Sequence, residues 1–116
     1  MSEPPKIKSD PLYRLLREGR VPSFNEEKAR GKRCDLTCCD FRGIDLRELD
    51  ADGLDLSHCY FRQADLRGLD LSKTRLEGAS IHGARIAGAY FPAEIPADEI
   101  IMSLMHGTRM RYRSGN

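Results

Sequence analysis

From Cys34 onward the apolar positions recur every fifth residue. That period fits neither the 3.6-residue repeat of a helix nor the 2-residue repeat of a strand. Written in fives, the chain reads CDLTC, CDFRG, IDLRE, LDADG, LDLSH, CYFRQ, ADLRG, LDLSK, TRLEG, ASIHG, ARIAG and AYFPA, twelve blocks in phase without an insertion. The central positions are Leu36, Phe41, Leu46, Ala51, Leu56, Phe61, Leu66, Leu71, Leu76, Ile81, Ile86 and Phe91, and only Ala51 is small. Two places earlier stand Cys34, Cys39, Ile44, Leu49, Leu54, Cys59, Ala64, Leu69, Thr74, Ala79, Ala84 and Ala89. The other three positions of each block are mostly polar, charged or glycine. Two inward residues two apart fit a short extended run. Gly43, Gly53, Gly68, Gly78, Gly83 and Gly88 end their blocks, where a turn favours glycine. A chain that turns at regular intervals and keeps one face inside is a solenoid.

The flanks read differently. "DPLYRLLREG" predicts a short helix with Asp10 as N-cap, Pro11 at its first position and Gly19 as terminator. "SFNEEKARG" carries a capping-box pattern, Ser23 with Glu26, and ends at Gly31. "IPADEIIMSLMHG" predicts a helix from Pro96 to His106, stopped by Gly107, with Asp98 and Glu99 in its first turn. Ile100, Ile101, Leu104 and Met105 form its apolar stripe, which can cap the repeat or pair with a second copy in a homodimer; capping is the preferred reading. The tail "TRMRYR" alternates Arg109, Arg111 and Arg113 with Met110 and Tyr112, in the manner of a strand. The expected organisation is an N-terminal helical cap over 1–33, the repeat over 34–93, and a helix with a basic tail over 94–116.

The blocks resemble the pentapeptide-repeat family, whose motif is roughly A(D/N)LXX. The resemblance covers residues 34–93. It implies a mainly β fold: a right-handed, four-sided β-helix with four blocks per coil, hence three coils, capped by the short helices. Stacked at strand spacing, such a body is about 14 Å tall. On that register, residues twenty apart stack. Leu36, Leu56 and Leu76 form one core column; Phe41, Phe61 and Ile81 a second; Leu46, Leu66 and Ile86 a third; Ala51, Leu71 and Phe91 the fourth. The N-terminal segment is expected to fill the space beside Ala51. Cys34, Cys39 and Cys59 are expected inside and Cys38 outside. Arg42 and Arg62 stack on one outer side, Arg47 and Arg67 on the next.

Composition narrows the function. The 116 residues are 32% charged, yet the net charge is only +1, which argues against bulk electrostatics as the mode of action. Residues 34–53 set six acidic side chains against Arg42 and Arg47, while residues 1–33 carry nine basic and five acidic ones. Neutralisation between cap and first coil is the simplest reading of that contrast. No apolar run is long enough to span a membrane and no signal-peptide core is present, so the expected location is the cytoplasm, with four reduced thiols. Aspartate is explained by its repeat position, and no phosphate loop or catalytic set is evident. Cys38, Cys39, His58 and Cys59 would point to opposite sides of the coil wall and could not converge on zinc. The expectation is therefore no enzyme, no cofactor, no metal, no small-molecule substrate and no membrane insertion. The leading reading is a protein-interaction module whose partner is another protein, docking on Arg42, Arg47, Arg62 and Arg67 with help from Arg109 and Arg111. Two alternatives stand beside it. Some family members mimic duplex DNA and bind type II topoisomerases such as gyrase; this chain departs from them in its small number of coils and in a charge of only −3 over residues 34–93. The other alternative is an anionic partner, nucleic acid or lipid, held by the arginines of the tail.

Overall fold

The computed structural model describes residues 5–113. Each block ends in a tight turn. The amide of the next block's first residue donates to the carbonyl of the central residue, as in Ile44 to Phe41 and Ala64 to Phe61. The last residue of the block sits at positive φ in nearly every turn, which is the demand of a type II turn. Glycine meets that demand at no steric cost. Cys38, Glu48, His58 and Gln63 meet it without being glycine, at φ of 62, 70, 62 and 59°.

Residues twenty apart do stack. Six isolated parallel bridges join such pairs, among them Asp40 with Tyr60, Asp45 with Asp65 and Tyr60 with Ser80. The amides of Phe41, Leu46, Leu56, Phe61, Leu66 and Leu71 each donate to the coil that follows in sequence. The expectation of a mainly β fold is nevertheless wrong. Among the described residues there is no strand and no sheet, only single bridges and three helices. The reason lies in the period itself. Two of every five residues are spent on a turn, so pairing breaks off before a ladder can extend.

The core follows the central positions. Leu36, Phe41, Leu46, Leu56, Phe61, Leu66, Leu71, Leu76 and Ile81 are buried, and the Phe41 and Phe61 rings stack at 5.3 Å with 7° between planes. Ile86 and Phe91, expected in the core, are only partly buried, because the C-terminal cap does not reach over all of the third coil. Cys34, also expected inside, is half-buried at the open lower end of the stack.

Below the first coil lie α1 (Pro11–Arg17) and α2 (Val21–Ala29). Asp10 caps α1 as expected, accepting from Leu12 and Tyr13. The Ser23–Glu26 capping box is not used: α2 begins earlier, at Val21, with no side-chain cap, because Pro22 already suits the first turn. Tyr13, Leu16, Val21 and Phe24 are buried against the coil, and the Tyr13 ring meets Phe41 edge-on at 5.4 Å. Asn25 receives the Asp50 amide and donates to the Glu48 carbonyl. Lys8 pairs with Asp35 and Lys28 with Asp50, so basic cap and acidic coil do neutralise one another. Above the third coil lies α3 (Ala97–His106), closed by Gly107 in the left-handed conformation.

Candidate functional site

The aspartates are turn-makers. Asp35, Asp40, Asp45, Asp50, Asp55, Asp65 and Asp70 each accept the amide of the residue two places on. Three of them hold an arginine as well. Arg42 forks onto Asp40, Arg47 onto Asp45, and Arg67 onto Asp65, through Nε and Nη2 in each case. Arg47 Nε also lies 3.4 Å from Asp65 Oδ2, so Asp65 ties the two coils together.

These contacts set the titration. The bond from Arg67 holds the Asp65 carboxyl at about 2, and Arg47 holds Asp45 below its ordinary value. Burial works to raise Asp40, but the bonds from Arg42 outweigh it and the carboxyl is lowered. Among the described residues Arg62 alone of the four has no carboxylate partner; its Nη1 lies 2.9 Å from His82 Nδ1. The structure thus places Arg42, Arg47, Arg62 and Arg67 on the outside as expected, yet three of the four spend their forked donors on their own turns.

Arg109 and Arg111 are drawn into the cap. Arg109 lies over the Tyr60 ring at 4.7 Å and donates to the Tyr60 hydroxyl and the Gly78 carbonyl. Arg111 pairs with Glu99 on α3. Between them Met110 is wholly buried, exchanging backbone hydrogen bonds with Gly78 and Ala79. The alternation of the tail was legible in the sequence, and its apolar side packs inward as that pattern implies.

The α3 stripe is split. Ile100 and Leu104 pack on the core, whereas Ile101 and Met105 point away and are 54% and 62% exposed. Met102, off the stripe and missed by the sequence reading, is exposed beside them at 45%. The residue most deeply set is the polar Ser103, whose Oγ accepts the Ile81 amide at 3.0 Å.

The cap closes only part of the third coil. On two sides, Leu76 donates to the Tyr112 hydroxyl, Gly78 to Met110, Ile81 to Ser103 and Gly83 to Leu104. On the sides that follow, the amides of Ile86, Gly88 and Phe91 and the carbonyls of Ala84 and Ala89 make no hydrogen bond among the described residues. Nothing in the hydrophobic pattern marks this edge, because it depends on how far a helix reaches.

Other chemistry is sparse. A cleft of about 410 Å³ lies between α2 and the repeat, lined by Phe24, Lys28, Arg33, Cys34, Asp52 and Asp55 among others. Burial pushes the Cys34 thiol up to about 11, which leaves little thiolate near neutrality. Among the described residues no group of His, Cys, Asp or Glu is arranged to hold a metal ion. Among them, too, no helix is long and apolar enough to cross a membrane.

Tight turns at a five-residue period, enclosing an apolar column and stacking every twenty residues, define a repeat protein of the pentapeptide class. The model of pentapeptide repeats matches residues 32–63 and 55–91, in eight copies, and the chain belongs to that family. No curated protein and no solved structure matches it.

Proposed function

We propose that the chain is a non-enzymatic, cytoplasmic protein-interaction module that engages its partner at the C-terminal end. The observation that carries this reading is the outward face of α3, where Ile101, Met102 and Met105 leave apolar surface in water. Apolar side chains clustered in this way mark contact sites. The arginine ladders are weaker candidates, since Asp40, Asp45 and Asp65 already occupy the forks that a partner's carboxylate or phosphate would need. The same pairs interrupt the acidic columns, which lends no support to mimicry of duplex DNA. Four free cysteines suit a reducing compartment.

The test is a paired capture from cell extract. Ile101→Glu with Met105→Glu should abolish partner capture, while replacing Arg42, Arg47, Arg62 and Arg67 with glutamine should not. The opposite pattern would return the site to the arginine ladders. Light scattering on the wild type and the α3 variant separates a second copy from a different partner, because only self-association changes the mass of the purified protein.

A further inference from the structure

We propose that the open edge of the third coil binds an extended segment of a partner protein in which an acidic residue precedes a large apolar one. The inference rests on the interaction-module reading and gives that partner a sequence. It follows from what each lower coil receives. On the same side one coil down, Arg85 donates to the Ala64 carbonyl, Leu66 donates to the Arg85 carbonyl, and Gly68 donates to the Ala87 carbonyl. Shifted up by twenty residues, the matching groups are the Ala84 carbonyl and the Ile86 and Gly88 amides, none of which is bonded among the described residues. An added segment would donate one amide to Ala84 and accept from Ile86 and Gly88 with two carbonyls, two residues apart. Unpaired edges of this kind are templates for another chain.

The side chains then specify the segment. The residue whose amide meets Ala84 would continue the outer column Asp45, Asp65, Arg85. Arg47 reaches Asp45 and Asp65, and Arg67 reaches Asp65, but Arg85 is exposed and has no carboxylate within 4.0 Å among the described residues. An aspartate or glutamate one coil above would supply it, at the spacing of neighbouring strands, about 4.8 Å. The next residue points inward over Ile86, which is only partly buried, so a leucine-sized side chain finishes that column. A second copy pairing edge to edge about this point would set Arg85 opposite Arg85, and like charges directly opposed disfavour that arrangement.

The probe is acetyl-Ala-Asp-Leu-Ser-Gly-amide, titrated into the full-length, ¹⁵N-labelled protein. Saturable shifts are expected at the Ile86 and Gly88 amides, and in the free protein those two amides should exchange with solvent faster than Leu66 and Gly68. Arg85→Glu should weaken the peptide about fivefold, and acetyl-Ala-Lys-Leu-Ser-Gly-amide should regain the loss in that variant. N-methylation of the aspartate nitrogen should weaken binding to the wild type by removing the bond to Ala84. Shifts centred on α3 or on the arginine ladders, no saturation by about 10 mM, or indifference to Arg85→Glu would overturn the proposal. Should the peptide fail while Ile101→Glu with Met105→Glu still abolishes capture, this inference alone falls. Peptide binding with unimpaired capture by that variant would instead remove the α3 reading.

Discussion

Ser103 Oγ accepts the Ile81 amide inside the protein, taking the place that a fourth coil would otherwise fill. Ser103→Ala leaves that buried amide without an acceptor. A loss of about 1–3 kcal/mol is expected, seen as a lower urea midpoint at unchanged slope. No change in midpoint would mean that α3 does not seat as described.

The stacked rings of Phe41 and Phe61 lie in adjacent coils at the centre of the core. Phe61→Ala should cost about 3–5 kcal/mol by urea unfolding, since the cavity is walled by residues of three coils. A cost below about 1 kcal/mol would count against the stacking register.

Glu48 pays for its left-handed turn at φ 70°. Its side chain is exposed and its backbone carbonyl is already held by Asn25. Glu48→Gly relieves steric cost of about 1–2 kcal/mol and adds about 0.5–1 kcal/mol of backbone entropy to the unfolded chain, so a net gain of about 0.5–1 kcal/mol is expected by thermal unfolding. A destabilised variant would show that the turn is not strained.

Asp65 is held at about 2, against its ordinary 3.8, first by the bond from Arg67. A depressed carboxyl contributes stability that is fully present above 3.8 and is lost as the pH falls through about 2. In Arg67→Gln the Asp65 midpoint, followed by carboxyl ¹³C shifts, should climb toward 3.8. An unmoved midpoint would assign the shift to the backbone turn instead.

The thiols should separate by rate. Burial raises Cys39 to about 11 and raises Cys59 as well, and Cys59 donates to the Leu36 carbonyl. Cys38 is half-buried and should react first with a thiol reagent, Cys34 more slowly, and Cys39 and Cys59 only on unfolding. Equal rates at all four positions in the folded protein would contradict the burial pattern.

The inward columns and the outward arginines were legible because both are fixed by position within a block, and Leu56 or Arg67 needs only its phase to be placed. Strand content was not legible from that phase: pairing at Asp45 or Tyr60 lasts one residue before the turn ends it. The reach of α3 was also hidden. Its hydrophobic stripe predicted Ile100 and Leu104 inside together with Ile101 and Met105, but the seat on the coil is chosen by amides needing acceptors, which brings Ser103 inward and turns Ile101 and Met105 out. The arginines were placed correctly and their partners only in part, since Asp45 and Asp65 were visible as neighbours whereas the fork of Arg42 onto Asp40 depends on turn geometry.

Each end of the repeat is partly covered by a segment that flanks it: Lys6 bridges Cys39 at one end, and Met110 exchanges hydrogen bonds with the third coil at the other. A stack of identical layers has no intrinsic reason to stop, and bare layers on separate molecules would add to one another head to tail into open filaments. These two short segments act as terminators of that growth, and they leave end-on addition only those stretches of edge they do not cover, the Ala84–Phe91 stretch of the third coil among them.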